Sequence, residues 1–503
     1  LLYFSFFSEN QSDTLVSHSA FFAMLSDKLL SLLGALSKPE RNRLRKFVHS
    51  PYLNDQNDVS RLFDVLDAAL RKAPDRTAVL DKPAVWKALY PGRPYDDAHL
   101  RRLMSDLTQL TQRFLVAEMR EQDPLGEALD LQRALERFDL PKHMAATERT
   151  IERLLEEYPG KSVEYHYAQY RKHWNTFTRA SKQVATAGFS EKLIAADFHL
   201  ECFYLAQKLK LYIDWLLFRG FRISEHELTL IPGFWEYLND PRFDEAPLIR
   251  IFQKIIFCFA EIDDETHFEQ LLEILDKKDS PLARADLREC FFIAQNYCAL
   301  KINQGDTRYY YRYFDLIRKM VERDLLIEND QIPEAVFKNF ITVSLGAGQY
   351  AWTEQFIQQY ADYLPARIRE NARTFNLAYV YFYQKNYDRV IECLRDVEYS
   401  DVVYALGAKS ILLRTYYEMD EYLALDSLIE SFRVFLLRNK VISKNLKREY
   451  MNFISLVKKL ATIAPTDKKA LEQLRQRVSQ TSYAMPKNWL LKKLAEIEAG
   501  HRR

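Results

Sequence analysis

Apolar residues recur at three- and four-residue steps along most of the chain. Leu446, Tyr450, Phe453 and Val457 form one such stripe; Trp489, Leu490, Leu494 and Ile497 form another. This spacing lines one side of an α-helix. It predicts helices over 24–35, 38–49, 57–71, 83–89, 97–120, 124–138, 142–157, 162–180, 188–218, 247–260, 265–277, 283–303, 307–325, 333–346, 351–361, 367–384, 387–396, 401–418, 422–437, 443–462, 467–479 and 487–498. Short Pro- or Gly-bearing breaks separate them, such as "YPGRP" at 90–94 and "IPG" at 231–233. Start signals agree. Ser37 and Glu40 have capping-box spacing with Pro39 in the first turn, and Asp96 precedes a long periodic run. Pro51 biases Ser50 toward extended backbone and ends the helix before it near His49.

The pattern repeats at a longer period. "FNLAYVYFYQKNYDRVIECL" (Phe375–Leu394) aligns without a gap on "SILLRTYYEMDEYLALDSLI" (Ser410–Ile429) at a shift of 35 residues. Tyr381 meets Tyr416, Tyr387 meets Tyr422, and Val390 meets Leu425. Earlier copies place Tyr350 37 residues before Tyr387 and Tyr309 a further 41 back. A helix, a tight turn, an aromatic residue and a second helix make a unit that cannot bury its own apolar faces. Stacking such units completes the core.

The Phe375–Leu394 unit resembles the tetratricopeptide repeat. Asn376, Leu377 and Ala378 resemble the small-residue crossing of its first helix, Tyr381 and Phe382 its paired aromatics, and "QKNYD" its turn. Val390 stands where that family prefers Ala, and the closing Pro is missing. The resemblance covers about 290–437. It implies an all-α superhelical stack of antiparallel helical hairpins, and a groove for peptides or partner proteins. The expected organisation is a peripheral or non-native extension at 1–23, an all-helical region of degenerate hairpins at 24–240, a tetratricopeptide-like solenoid at 241–465, and capping helices at 466–503. The irregular stretch from Leu216 to Leu248 is the expected junction.

Composition supports helices. Only 12 glycines occur in 503 residues, which disfavours sheets built on positive-φ turns. The formal net charge of +1 gives no overall steering toward nucleic acid or anionic lipid. Charge is uneven, however. Glu261–Asp276 has seven acidic and no basic residues, whereas 431–503 has 17 basic and five acidic ones. The five cysteines, Cys202, Cys258, Cys290, Cys298 and Cys393, are dispersed with no CxxC pair. They read as reduced core thiols of a cytoplasmic protein. No apolar run reaches the length of a transmembrane helix, and the first residues make a poor signal peptide.

Candidate chemistry is sparse. There is no nucleotide-binding loop and no nucleophile elbow; Gly346 and Gly348 of "SLGAGQY" serve a hairpin turn. His199 and Cys202 share a helical face without companion metal ligands, and His166 and His173 lie two turns apart among aromatics. Adjacent Asp263 and Asp264 read as a capping or solvated cluster. No catalytic, cofactor or metal residue is assigned, and no enzymatic activity or cofactor is expected. Two basic stretches remain. In "RYYYRYFDLIRK", Tyr310, Tyr313 and Phe314 fit a core face with Arg308, Arg312 and Lys319 outside it. In "LGALSKPERNRLRKFVHSPYLND", Arg43, Arg45 and Lys46 lie on the flanks and opposite side of an apolar patch, and Asp55, Asp58, Asp64 and Asp67 on the next helix and its lead-in can offset them. The expected role is a scaffold binding a protein or peptide along a concave face, where Tyr379, Gln384 or Arg414 can point to a ligand. The alternative is a nucleic-acid-associated regulator using the basic C-terminal region.

Overall fold

A computed structural model describes residues 27–72, 82–138, 140–158, 160–182, 189–219, 228–277, 280, 282–395, 402–439, 442–480 and 486–500. Positions 1–23 lie outside the described residues. Those residues form an all-α fold with 23 α-helices and two short 3-10 turns. The chain divides into two compact units between Leu205 and Ala206. The division falls inside a helix, and the irregular stretch comes after it.

The N-terminal unit contains α1 (Asp27–Ala35), α2 (Lys38–Val48), α3 (Asn57–Lys72), α4 (Lys82–Leu89), α5 (Asp97–Glu121), α6 (Pro124–Leu135), α7 (Pro141–Glu156), α8 (Val163–Lys182) and the first half of α9 (Phe189–Arg219). Its first core joins Leu33, Leu44, Phe63, Trp86, Leu107 and Phe114 from α1 to α5. Ser37 and Glu40 cap α2 reciprocally: the Ser37 N–H donates to the Glu40 carboxylate at 2.6 Å, and the Glu40 N–H donates to Ser37 Oγ at 3.4 Å. The basic face of α2 is neutralised within the unit. Arg41 and Arg45 reach the Asp67 carboxylate on α3 at 3.2 and 3.0 Å, and Arg71 adds a third contact at 2.9 Å. Arg43 donates to Glu118 of α5 at 2.8 Å. These partners account for the arginines of the opening basic run without any external ligand.

The C-terminal unit continues α9 and adds α10 (Phe234–Leu238), then α11 (Pro247–Ala260), α12 (Glu265–Asp276), α13 (Arg284–Asn303), α14 (Tyr309–Glu322), α15 (Glu334–Gly346), α16 (Tyr350–Tyr360), α17 (Arg369–Tyr383), α18 (Tyr387–Arg395), α19 (Val402–Glu418), α20 (Tyr422–Arg438), α21 (Lys444–Thr462), α22 (Lys468–Ser479) and α23 (Lys487–Glu498). From α11 to α20 each odd-numbered helix pairs with the even-numbered helix that follows it. Second helices pack on the next first helix, and α15, α17, α19 and α21 also pack on one another in sequence. The result is a stacked helical arrangement. Fully buried Tyr297, Tyr313, Phe268, Phe291, Phe337 and Phe340 fill its middle.

The turns inside the four pairs from α13/α14 to α19/α20 share one geometry. Gly305, Gly348, Lys385 and Asp420 each adopt a left-handed backbone, with φ of 103°, 72°, 60° and 57°. The next amide in each case donates back five residues: Asp306 to Lys301, Gln349 to Ser344, Asn386 to Tyr381 and Glu421 to Tyr416, at 2.9–3.0 Å. This is a Schellman ending. It satisfies the last carbonyls of the first helix and starts the second helix within four residues. The recurrent Tyr309, Tyr350, Tyr387 and Tyr422 therefore sit at equivalent starts. Lys385 bears a Cβ where glycine is favoured. Lys385→Gly is expected to raise stability by about 0.5–1 kcal/mol, read as an upward shift of the urea midpoint.

The last helix, α23, buries Leu490, Leu494 and Ile497 as its stripe requires. One residue departs from the sequence reading. Lys493 lies off the apolar stripe of α23, where a charged residue is expected at the surface, yet it is buried and held by Glu418 and Glu496, each at 2.7 Å. Glu418 also accepts from Trp489 Nε1 at 2.6 Å, so α23 is fixed to α19 by one carboxylate. No helix among the described residues is long and apolar enough to cross a membrane.

Candidate functional site

The stripe "RYYYRYFDLIRK" lies at the start of α14, and its charges already have partners. Arg308 meets Glu265 at 3.1 Å, Arg312 meets Glu269 at 2.5 Å, and Lys319 meets Asp276 at 2.6 Å. All three carboxylates belong to α12, at a constant separation of 43 residues. The acidic segment and the basic stripe thus neutralise each other across one helix–helix contact. Tyr313 is fully buried beneath them.

A different set of rings remains available. Tyr310 from the start of α14 packs its ring onto Gly346 of α15; a Cβ there would lie 2.3 Å from the Tyr310 ring. Gly407 of α19 receives the Phe375 ring in the same way, at 2.7 Å. On α17, Phe375, Tyr379 and Tyr383 follow one another at four-residue steps, with centroids 6.2 and 5.4 Å apart. Tyr350 of α16 approaches Tyr383 at 6.5 Å. The Arg414 guanidinium of α19 lies 4.6 Å from the Phe382 ring and 5.6 Å from Tyr379. Tyr379 and burial both disfavour ionisation of Tyr383 and hold its hydroxyl above the usual phenol range. Burial does the same for Tyr310. Both therefore remain hydrogen-bond donors at neutral pH. Tyr383 is 40 % exposed, while Arg414 is only 5 % exposed. Gln384, the third residue named from sequence, is exposed at the end of α17.

The helical glycine is tested directly by Gly346→Ala. Overpacking costs about 1–3 kcal/mol, against roughly 1 kcal/mol gained in helix propensity. G346A is expected to lower the thermal midpoint. In a double-mutant cycle, the Tyr310→Ala background is expected to remove that penalty.

A second constellation lies in the N-terminal unit. Sequence reading treated His166 and His173 apart from His199; the fold brings all three together between α8 and α9. His166 Nδ1 and His199 Nδ1 are 3.0 Å apart, so one ring donates and the other accepts. The His173 ring stacks on His199 at 5.7 Å with 7° between planes. Tyr167 packs at a tilt against Phe203 nearby, with centroids 5.1 Å apart. His166 is 2 % exposed, and its Nε2 has no hydrogen-bond partner among the described residues. Burial pushes His166 and His173 down to about 4 and His199 to about 3; nearby lysines act in the same direction. Cys202, one turn after His199, is buried. The i, i+3 spacing could not show that the partner of His199 is another imidazole 33 residues earlier.

Glu261, Asp264 and His267 converge closely enough to hold a cation. Asp264 already caps α12 by accepting from the Thr266 N–H at 2.9 Å, and Glu261 contacts His267 at 3.0 Å. Both carboxylates are exposed, as befits a solvated cap. Burial raises the thiols of Cys258, to about 12, and of Cys290 and Cys298, which opposes the thiolate that nucleophilic chemistry requires. Compared with protein-family models, with curated proteins and with solved structures, the chain finds no match in any of the three.

Proposed function

We propose that the C-terminal unit is a tetratricopeptide-like solenoid that binds an extended segment of a partner protein on the open face of its first helices. The observation that carries this reading is the run of half-exposed aromatics Phe375, Tyr379 and Tyr383 along the first helix α17, with Arg414 of the first helix α19 beside Tyr379. Tyrosine beside arginine is the composition of interaction centres, because the rings bury area with little rotamer entropy and their hydroxyls tolerate water. The Schellman turns repeat this face at regular spacing, which suits an extended chain. The mode of action is reversible binding without a covalent step, and no catalytic group is assigned.

The test is affinity capture from the native cell with wild type and with Tyr379→Ala/Tyr383→Ala. The expected result is a specific protein recovered by wild type and lost with the double variant. Equal recovery by both proteins would place binding elsewhere. A second reading, nucleic-acid association, draws on α21, where Lys444, Lys447 and Lys459 form no ion pair among the described residues. It requires binding of generic RNA or DNA that weakens steeply with salt.

A further inference from the structure

We propose that His166 and His199 form a two-imidazole clamp for a divalent transition-metal ion, which ties α8 to α9. The site lies in the N-terminal unit and is independent of the binding face proposed above.

The two Nδ1 atoms stand 3.0 Å apart across the helix pair. Metal–imidazole bonds of about 2.0–2.1 Å to both would meet at about 95°. That is close to the angle between neighbouring positions of a tetragonal or octahedral ion such as Cu²⁺ or Ni²⁺. The same two nitrogens therefore fit a shared proton or a shared ion. Burial keeps both rings unprotonated at neutral pH, and a ligating imidazole must be neutral. Among the described residues no carboxylate or carbonyl holds either ring. His166 Nε2 is buried without a partner there, so no second hydrogen bond fixes which nitrogen carries the proton. Each ring can carry its proton on Nε2 and offer Nδ1 to the ion.

The surroundings select the kind of ion. Lys161 and Lys172 oppose positive charge at His199, so nitrogen–metal bonding must supply the affinity. That disfavours Ca²⁺ and Mg²⁺, which take oxygen ligands, and favours the ions that bind imidazole. His199 is half-buried, so water can fill the remaining positions, as in open metal sites. Its ring is held in place before any ion arrives. His173 stacks on it with 7° between planes, and Tyr165 and Phe198 meet it edge-on at 6.2 and 5.2 Å. His173 is thus a positioning residue rather than a third ligand. An ion bound to both helices favours the folded state and stiffens the pair.

The experiment is calorimetric titration of the untagged full chain with Ni²⁺ at pH 7.5, paired with amide hydrogen exchange with and without the ion. The expected outcome is Ni²⁺ binding that slows exchange in α8 and α9 peptides and is reversed by EDTA. His166→Phe and His199→Phe should each weaken that binding at least tenfold, since even residues that only orient a metal ligand commonly matter by that much. His173→Phe keeps the stacked ring and should bind within about threefold of wild type. His267→Ala breaks the exposed group of Glu261, Asp264 and His267 and should leave the protection of α8 and α9 unchanged. The exchange comparison uses only the unaltered protein, so it holds even if a histidine variant folds poorly. No binding at millimolar Ni²⁺, or binding that protects α12 and not α8 and α9, would overturn the clamp. Equal Ni²⁺ affinity in wild type and His199→Phe would do the same. A loss with His173→Phe as large as with His199→Phe would overturn the two-ligand assignment.

Discussion

Asp67→Asn is expected to destabilise the N-terminal unit by about 3 kcal/mol, because removing one partner from a buried charge cluster leaves the others uncompensated. The Asp67 side chain is fully buried, and it is the common acceptor for Arg41, Arg45 and Arg71. The amide keeps the shape but removes the charge, and its NH₂ points a donor at arginines that can only donate. The arginines are partly exposed and can turn toward water, which limits the loss. Asp64 is the control: it also contacts Arg45, at 3.3 Å, yet is 42 % exposed, so Asp64→Asn should cost at most about 1 kcal/mol. Hydrogen exchange of α2 and α3 amides in the full chain checks both. Equal effects at the two positions would show that burial does not govern the cluster.

Acid is expected to loosen α8 from α9 before it affects the carboxylates. The histidines titrate near 6.5 when unfolded and at about 4, 4 and 3 for His166, His173 and His199 when folded. The unfolded state therefore binds more protons throughout this window. Stability is fully present above pH 6.5 and is lost progressively as pH falls toward 4. One such group contributes roughly 3 kcal/mol of stability at neutral pH. The lysines that oppose protonation are Lys161, Lys172 and Lys192. Between pH 6.5 and 5 most carboxylates are still ionised, so loss there reports the imidazoles. His199→Phe keeps a ring in the stack and removes the shared hydrogen bond. It is expected to flatten the dependence, measured by hydrogen exchange of α8 and α9 peptides at pH 7, 6 and 5. An unchanged slope would refute the buried-imidazole account.

Local pattern made much of this fold legible, and pairing across the chain did not. The capping box at Ser37, the end of α2 at His49 and the stripe on α23 all depend on residues within a few positions. The 35-residue register was visible because Tyr387 and Tyr422 open equivalent helices. The left-handed Lys385 and Asp420 were not, since neither side chain advertises that backbone. Lys493 read as polar surface because its partner Glu418 lies 75 residues away. The histidine cluster was hidden for the same reason. Arg414 was named from sequence as a residue that can face a ligand, but only the fold reveals that it is buried against Tyr379 and Phe382 without a carboxylate.

The central claim is that the first-helix face binds a protein segment. It is tested most directly by placing a photo-crosslinking phenylalanine analogue at Tyr383, or at Leu423, which is 90 % exposed on the second helix α20. Illumination in the native cell, followed by identification of the adducts, is the measurement. The account predicts a discrete protein adduct from position 383 that is absent from position 423. Adducts from 423 alone, or adducts to nucleic acid from 383, would contradict it.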